Sequence, residues 1–151
     1  MVRNRVQLYQ AKVRRVIDGD TVVIDRDGEL IMCRLMGIDA PEDGQRWCVE
    51  ARDFLIRCVG GKEVQVMQYG TDKYGRALVV LTNYKGWDLN AEMIAMGLAW
   101  YLESGGKCLH YMSLEILARK KKLGIWSETC MERPWEYRRR KRNQKLVKTL
   151  R

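Results

Sequence analysis

Asp18-Gly-Asp20 joins two apolar, alternating segments, and Asp39-Ala-Pro-Glu42 follows a third. Acids at the ends of neighbouring strands have two uses. Asp20 and Asp39 could converge on one hard divalent cation, which takes carboxylate, carbonyl and water oxygens. The plainer use is a solvated acidic loop and a tight turn, with Gly19 at positive φ and an Asp side chain capping the backbone. Arg34 lies inside the apolar run 30–36, where Leu30, Met32 and Met36 share its face and Ile31, Cys33 and Leu35 share the other. Either choice buries much of a guanidinium, which is costly without an anion. A carboxylate neighbour in a structural ion pair would serve, and so would a phosphate gripped by both prongs. Asp72-Lys-Tyr-Gly-Arg76 puts a lysine, an aromatic and an arginine in one turn, as phosphate binding with base stacking requires. A charged surface hairpin is the alternative there.

The elements that must position these residues follow from the hydrophobic period. Residues 11–17 alternate as a strand, Asp18-Gly-Asp20 breaks them, and the β-branched run 21–25 continues as a second strand. Asp27-Gly28 is a hairpin signal leading into a third strand over 30–36, closed by Gly37. From Arg46 the period turns helical: Trp47, Ala51, Phe54, Leu55, Cys58 and Val59 share one face, and Gly60-Gly61 ends it. Residues 63–68 and 76–82 read as strands around a loop at 69–75, and 89–96 and 109–123 as helices stopped by Gly97 and Gly124. Three strands, a helix and two strands predict an α+β fold that is mainly a β barrel. It is an OB-fold-like five-stranded barrel with three helices.

Composition narrows the classes further. The chain has 151 residues and a formal charge of +9, unevenly placed. The segment 133–151 holds nine Lys/Arg against the single acid Glu136, whereas 1–132 is close to neutral. The sequence therefore divides into a domain at 1–132 and a basic C-terminal tail at 133–151, which reads as a short frayed helix or as disordered, and which points to a polyanionic partner. One histidine, His110, excludes a two-histidine acid–base site and a zinc site built on several imidazoles. Five cysteines without CxxC spacing leave at least one thiol unpaired and favour ordinary thiols in a reducing compartment. Residues 1–10 show no apolar leader core, and no run approaches a membrane span. A cytoplasmic, monomeric protein is expected, secreted or periplasmic only if a leader has been removed.

Val16-Ile-Asp-Gly-Asp-Thr21, Cys33-Arg-Leu-Met-Gly-Ile-Asp-Ala-Pro-Glu42, Thr71-Asp-Lys-Tyr-Gly-Arg76 and Gly124-Ile-Trp126 occur in that order. Together they resemble the staphylococcal (micrococcal) nuclease family, thermonuclease type, over about residues 11–127. The resemblance implies an OB-type barrel with three helices, as the hydrophobic pattern does independently. It further implies Ca²⁺ as cofactor, with Asp20, Asp39 and the carbonyl of Ala40 as metal ligands. Arg34 and Arg76 would clamp phosphate, and Glu42 would engage the attacking water. Lys73 and Tyr74 would line the nucleotide pocket, with Tyr101 as a further stacking ring. The implied activity is Ca²⁺-dependent hydrolysis of DNA and RNA with little sequence specificity, single strands preferred, leaving 3′-phosphates. A catalytically weak nucleic-acid-binding module on the same fold is the alternative. A different nuclease class, using Asp53 and Glu63-Val-Gln65 as a metal motif, is disfavoured because Asp53 falls in a helix and Gln65 stands where that motif needs lysine.

Overall fold

The computed structural model describes residues 5–103 and 106–150. The start of the segment read for a leader, and Arg151 of the basic tail, lie outside the described residues. The chain runs through strands β1 (Gln7–Asp18), β2 (Thr21–Arg26), β3 (Glu29–Leu35) and β4 (Ile38–Asp39), then helix α1 (Cys48–Val59). Strands β5 (Glu63–Thr71) and β6 (Ala77–Thr82) precede α2 (Leu89–Ala95), β7 (Trp100–Tyr101) and α3 (Leu109–Lys120). A 3₁₀ turn (Gly124–Ser127) and α4 (Pro134–Thr149) complete the chain.

Five strands close into a barrel in the order β1-β2-β3-β6-β5, so the expected α+β barrel is the observed architecture. The pairings are antiparallel except β3 with β6, which run parallel and seal the barrel. Alternation supplies the core: Val13, Val22, Ile24, Cys33, Leu35 and Val66 are fully buried. On β3 the Cys33–Leu35 face points inward and the Leu30–Met32–Arg34 face outward. Asp27 and Gly28 both take positive φ at the β2–β3 hairpin, the conformation that favours Asp-Gly there. α1 buries Ala51, Leu55 and Val59, one residue per turn, against the barrel.

α2 starts at Asp88, whose side chain accepts from the Ala91 N–H at 3.0 Å. The Tyr111 hydroxyl of α3 donates to the same carboxylate at 2.7 Å, tying the two helices together. Where α2 and α3 end, the Gly97 carbonyl accepts from Ile125 N–H at 2.8 Å. Gly97 and Gly124 both have positive φ, and a Cβ on either would collide with backbone of the other segment. All five cysteines are free thiols. Among the described residues no helix is long and apolar enough to cross a membrane.

Three features differ from the sequence expectation. β5 extends to Thr71 through an irregularity at Gln68/Gly70, carrying pairing into the expected loop. The Asp39 loop is pinned by a two-residue ladder, Ile38 to Tyr101 and Asp39 to Trp100, too short to register in the hydrophobic period. The basic segment is a fourth helix of 16 residues. Pro134 occupies its first turn, and Glu136 accepts from the Arg133 N–H at 3.2 Å, which together start the helix despite the crowded positive charge.

Candidate active site

The end of β1, the starts of β2 and β4, and the body of β3 meet at one rim of the barrel. Asp18 ends β1 and its Oδ1 accepts from the Asp20 N–H at 3.2 Å, the capping contact expected of an Asp-Gly-Asp turn. Gly19 does not take the expected positive φ. Its lack of a side chain serves closeness instead: a Cβ there would stand 2.8 Å from the Cβ atoms of Ala40 and Ala51. That closeness lets Asp20 Oδ2 accept from the Ala40 N–H at 2.7 Å, locking the β1–β2 turn to the Asp39-Ala-Pro-Glu42 segment.

Arg34 answers the question its burial raised. Its Nη1 donates to the carbonyls of Leu35 (2.7 Å) and Ile38 (2.9 Å). Its Nη2 lies 3.1 Å from Asp39 Oδ1 and 3.2 Å from Asp20 Oδ2. Carboxylate neighbours thus supply the anion, and Arg34 brings both acids to a single nitrogen. Asp39 is fully buried, and burial pushes its carboxyl above the usual range against the opposing pull of Arg138 and Arg34. Asp18 is pushed up to about 7, by burial first and by the charge of Asp20 second.

Arg76 is held differently. Its Nε donates to Asp72 Oδ2 at 2.8 Å and its backbone N–H to Asp72 Oδ1 at 3.0 Å, while its Nη groups have no hydrogen-bond partner among the described residues. Hydrogen bonds from Arg76 and Tyr74 outweigh burial at Asp72 and hold its carboxyl below the usual range. The fork is therefore oriented at one side and open at the other. Tyr74 is exposed, with the Arg76 guanidinium 5.5 Å and the Lys73 ammonium 5.1 Å from its ring centroid.

These groups border one cleft of about 680 Å³, which Asp20, Arg34, Glu42, Lys73, Tyr74 and Arg76 all line. Tyr101 is not among its lining residues. It borders a second depression beside His110 and Tyr111, where its hydroxyl accepts from the Cys108 N–H at 2.9 Å.

The cleft also holds residues that the sequence placed only in the basic tail. Trp135, Arg138 and Arg142 of α4 line it. Arg138 Nη1 and Nη2 lie 3.2 and 2.9 Å from Asp39 Oδ1 and Oδ2, and Nη1 also pairs with Glu42. This anchoring, the Asp39 hydrogen bonds foremost, holds the Arg138 guanidinium above its ordinary pKa. The available signal was Pro-Trp-Glu-Tyr at 134–137, a helix start with two aromatics inside an otherwise solvated basic run.

For a hard divalent cation the donor chemistry is suitable, since carboxylate oxygens of Asp20 and Asp39 converge beside the Ala40 backbone. Among the described residues no three acidic, imidazole or thiol groups form a ready cage. Such an ion would need backbone carbonyl and water to complete its shell.

A small, closed, mixed five-stranded barrel with helices around it is an α+β domain of the OB-like type. The family model described as staphylococcal nuclease homologue matches residues 32–128. The chain belongs to that family. It is 35% identical over 145 residues to a micrococcal nuclease of Shigella flexneri, covering 89% of this chain and 83% of that protein. An uncharacterized endonuclease of Escherichia coli is 35% identical over 130 residues, covering 86% and 85% respectively. A staphylococcal-like nuclease of Arabidopsis thaliana is 37% identical over 109 residues, covering 72% of this chain but only 33% of that protein.

Proposed function

We propose that this protein is a metal-dependent phosphodiesterase that hydrolyses DNA and RNA with little base preference, leaving 3′-phosphates. The observation carrying the reading is the convergence of Asp20, Arg34, Glu42, Lys73, Tyr74 and Arg76 on one cleft. Relatives named as nucleases, matched over most of the chain, support it.

Asp20, Asp39 and the Ala40 carbonyl would hold Ca²⁺, which when bound supplies Lewis-acid polarisation of a phosphate oxygen. Arg76 offers its open Nη pair to two phosphate oxygens, with Asp72 fixing the fork in advance. Arg34 is saturated on both Nη atoms by protein oxygens, so its part is to hold Asp20 and Asp39 in register and to place positive charge at the cleft floor. Glu42, at the cleft edge, is the group available to take a proton from an attacking water once Arg138 releases it. Lys73 and Tyr74 supply charge and a stacking face, which every base can use, so sequence preference is weak. The proposed enzyme acts as a monomer on single strands.

The test is digestion of end-labelled single-stranded DNA and RNA with and without Ca²⁺, followed by analysis of the termini. Calcium-dependent cleavage to 3′-phosphate ends is expected. Tight binding without cleavage in any divalent cation would turn the reading to the nucleic-acid-binding module. Calorimetric titration should show weakened Ca²⁺ binding in Asp20→Ala and Asp39→Ala; wild-type affinity in both would remove them from the metal site.

A further inference from the structure

The family model ends at residue 128, but the cleft does not. α4 contributes Trp135, Arg138 and Arg142, at i, i+3 and i+7 on one helix face. Arg138 is committed to Asp39 and Glu42, whereas Arg142 is exposed and has no carboxylate partner among the described residues. Lys73, across the same cleft, has none either, and Arg76 presents open Nη groups. The cleft is lined by five cations, Arg34, Lys73, Arg76, Arg138 and Arg142, against three carboxylates, Asp18, Asp20 and Glu42. Arg34 and Arg138 are offset by Asp39 and Arg76 by Asp72 just behind the lining, so the positive charge left to meet a polyanion is that of Lys73, Arg142 and the open side of the Arg76 fork. Two aromatics of separate elements, Tyr74 and the half-buried Trp135, line it as well, which suits a chain of phosphates alternating with flat rings.

α4 is also placed rigidly enough to be a wall. The Tyr137 hydroxyl donates to the Asp43 carbonyl at 3.1 Å, Gln45 Nε2 donates to the Glu132 carbonyl at 2.8 Å, and Pro134 is buried. These contacts do not involve Arg138, so the start of α4 stays seated if that guanidinium leaves the acids.

We propose that the first three turns of α4 form the second wall of the substrate cleft, with Trp135 stacking on a base and Arg142 contacting a phosphate of a bound single nucleic-acid strand. This rests on the nuclease reading and extends it to residues outside the family-matched segment. Arg142 is one turn beyond Arg138, about 6 Å along the axis, so both face the path of one strand.

The experiment measures fluorescence anisotropy of a labelled eight-nucleotide thymidine oligomer, in chelator so that nothing is cleaved. Trp135→Ala and Arg142→Gln should each weaken binding about fivefold or more, Trp135→Phe should recover most of the loss, and quenching of Trp135 emission should be absent from Trp135→Phe. Arg139→Gln, on the face bordering the neighbouring depression, should bind as wild type does. Arg142 is exposed, so its variant folds normally and the comparison stands whatever Trp135→Ala does to stability. Wild-type binding with affinities within twofold in both Trp135→Ala and Arg142→Gln would overturn the wall alone. A wild-type protein that binds no oligonucleotide in chelator would overturn the wall, and one that also fails to cleave it in Ca²⁺ would overturn the nuclease reading as well.

Discussion

The Arg138 guanidinium lies across the Asp39 carboxylate, Nη1 3.2 Å from Oδ1 and Nη2 2.9 Å from Oδ2. A residue 99 positions away in sequence thus neutralises the most buried acid of the candidate site. Arg34 reaches the same carboxylate from the barrel side at 3.1 Å, so Asp39 sits between two guanidinium groups. That arrangement stabilises a charge which burial alone would disfavour.

Arg138 and a divalent cation would both use the Asp39 carboxylate, and competition for a shared ligand is reciprocal. Arg138→Gln should therefore bind Ca²⁺ about tenfold more tightly, roughly 1.4 kcal/mol. The gain is kept modest because the Arg138 side chain is 42% exposed and its ion pairs are partly screened. Calorimetry on the two proteins decides it; equal or weaker binding in the variant would show that the guanidinium and the ion do not contend.

Arg76 and Arg34 should respond differently to lysine. Arg76→Lys keeps charge and loses the fork, so kcat/KM should fall by about 3 kcal/mol with little change in melting temperature. Arg34→Lys should lose as much activity and also lower the melting temperature, because the Leu35 and Ile38 carbonyls lose a shared donor. A tenfold loss or less in both variants would defeat the idea that bidentate geometry matters.

Gly19→Ala puts a methyl group between Ala40 and Ala51, both of which already stand 2.8 Å from that position. Destabilisation of about 1–3 kcal/mol is expected from overpacking. The Asp20–Ala40 hydrogen bond should also suffer, so activity should drop more than the folded fraction does. Urea melts paired with assays at saturating Ca²⁺ would check both; wild-type behaviour would mean that the turn has slack the geometry denies.

The barrel was legible because its strands alternate and its turns carry Asp-Gly and Gly-Gly signals, all local in sequence. Arg34 was legible as a residue needing an anion, since both faces of its strand are apolar. Which anion it found was not, because Asp20 and Asp39 become neighbours only through the β1–β2 turn and the β4–β7 ladder. Gly19 illustrates the limit: glycine signals a constraint, but positive φ and close approach look alike in sequence. Tyr101, which the family resemblance alone offered as a further stacking ring, pairs with Ile38 in β7 and borders a different depression. The docking of α4 was least legible. Its charge density argued for solvation, and the counter-argument, two acids awaiting Arg138, lies almost a hundred residues upstream.

Two truncations separate what the two halves of α4 do. Removing 143–151 takes away Lys145, Lys148 and Arg151; Lys145 and Lys148 are exposed and lie beyond the cleft-lining residues. That loss should leave stability within about 0.5 kcal/mol of wild type. It should lower the salt slope of single-strand binding by about 2 at most, near 0.7 for each phosphate no longer neutralised. Turnover at saturating substrate should be unchanged, since uniform binding energy does not raise kcat. Removing 133–151 also strips Trp135, Arg138 and Arg142 from the cleft and leaves Asp39 with Arg34 alone. In chelator this shorter protein should be less stable by about 1–2 kcal/mol, because a buried carboxylate has lost a partner. Its affinity at high salt, where the electrostatic part is suppressed, should fall well below that of the 143–151 truncation. Binding across a salt series and urea melts of the three proteins supply the comparison. If the two truncations differ from each other only in salt slope, the first turns of α4 contribute charge and nothing more.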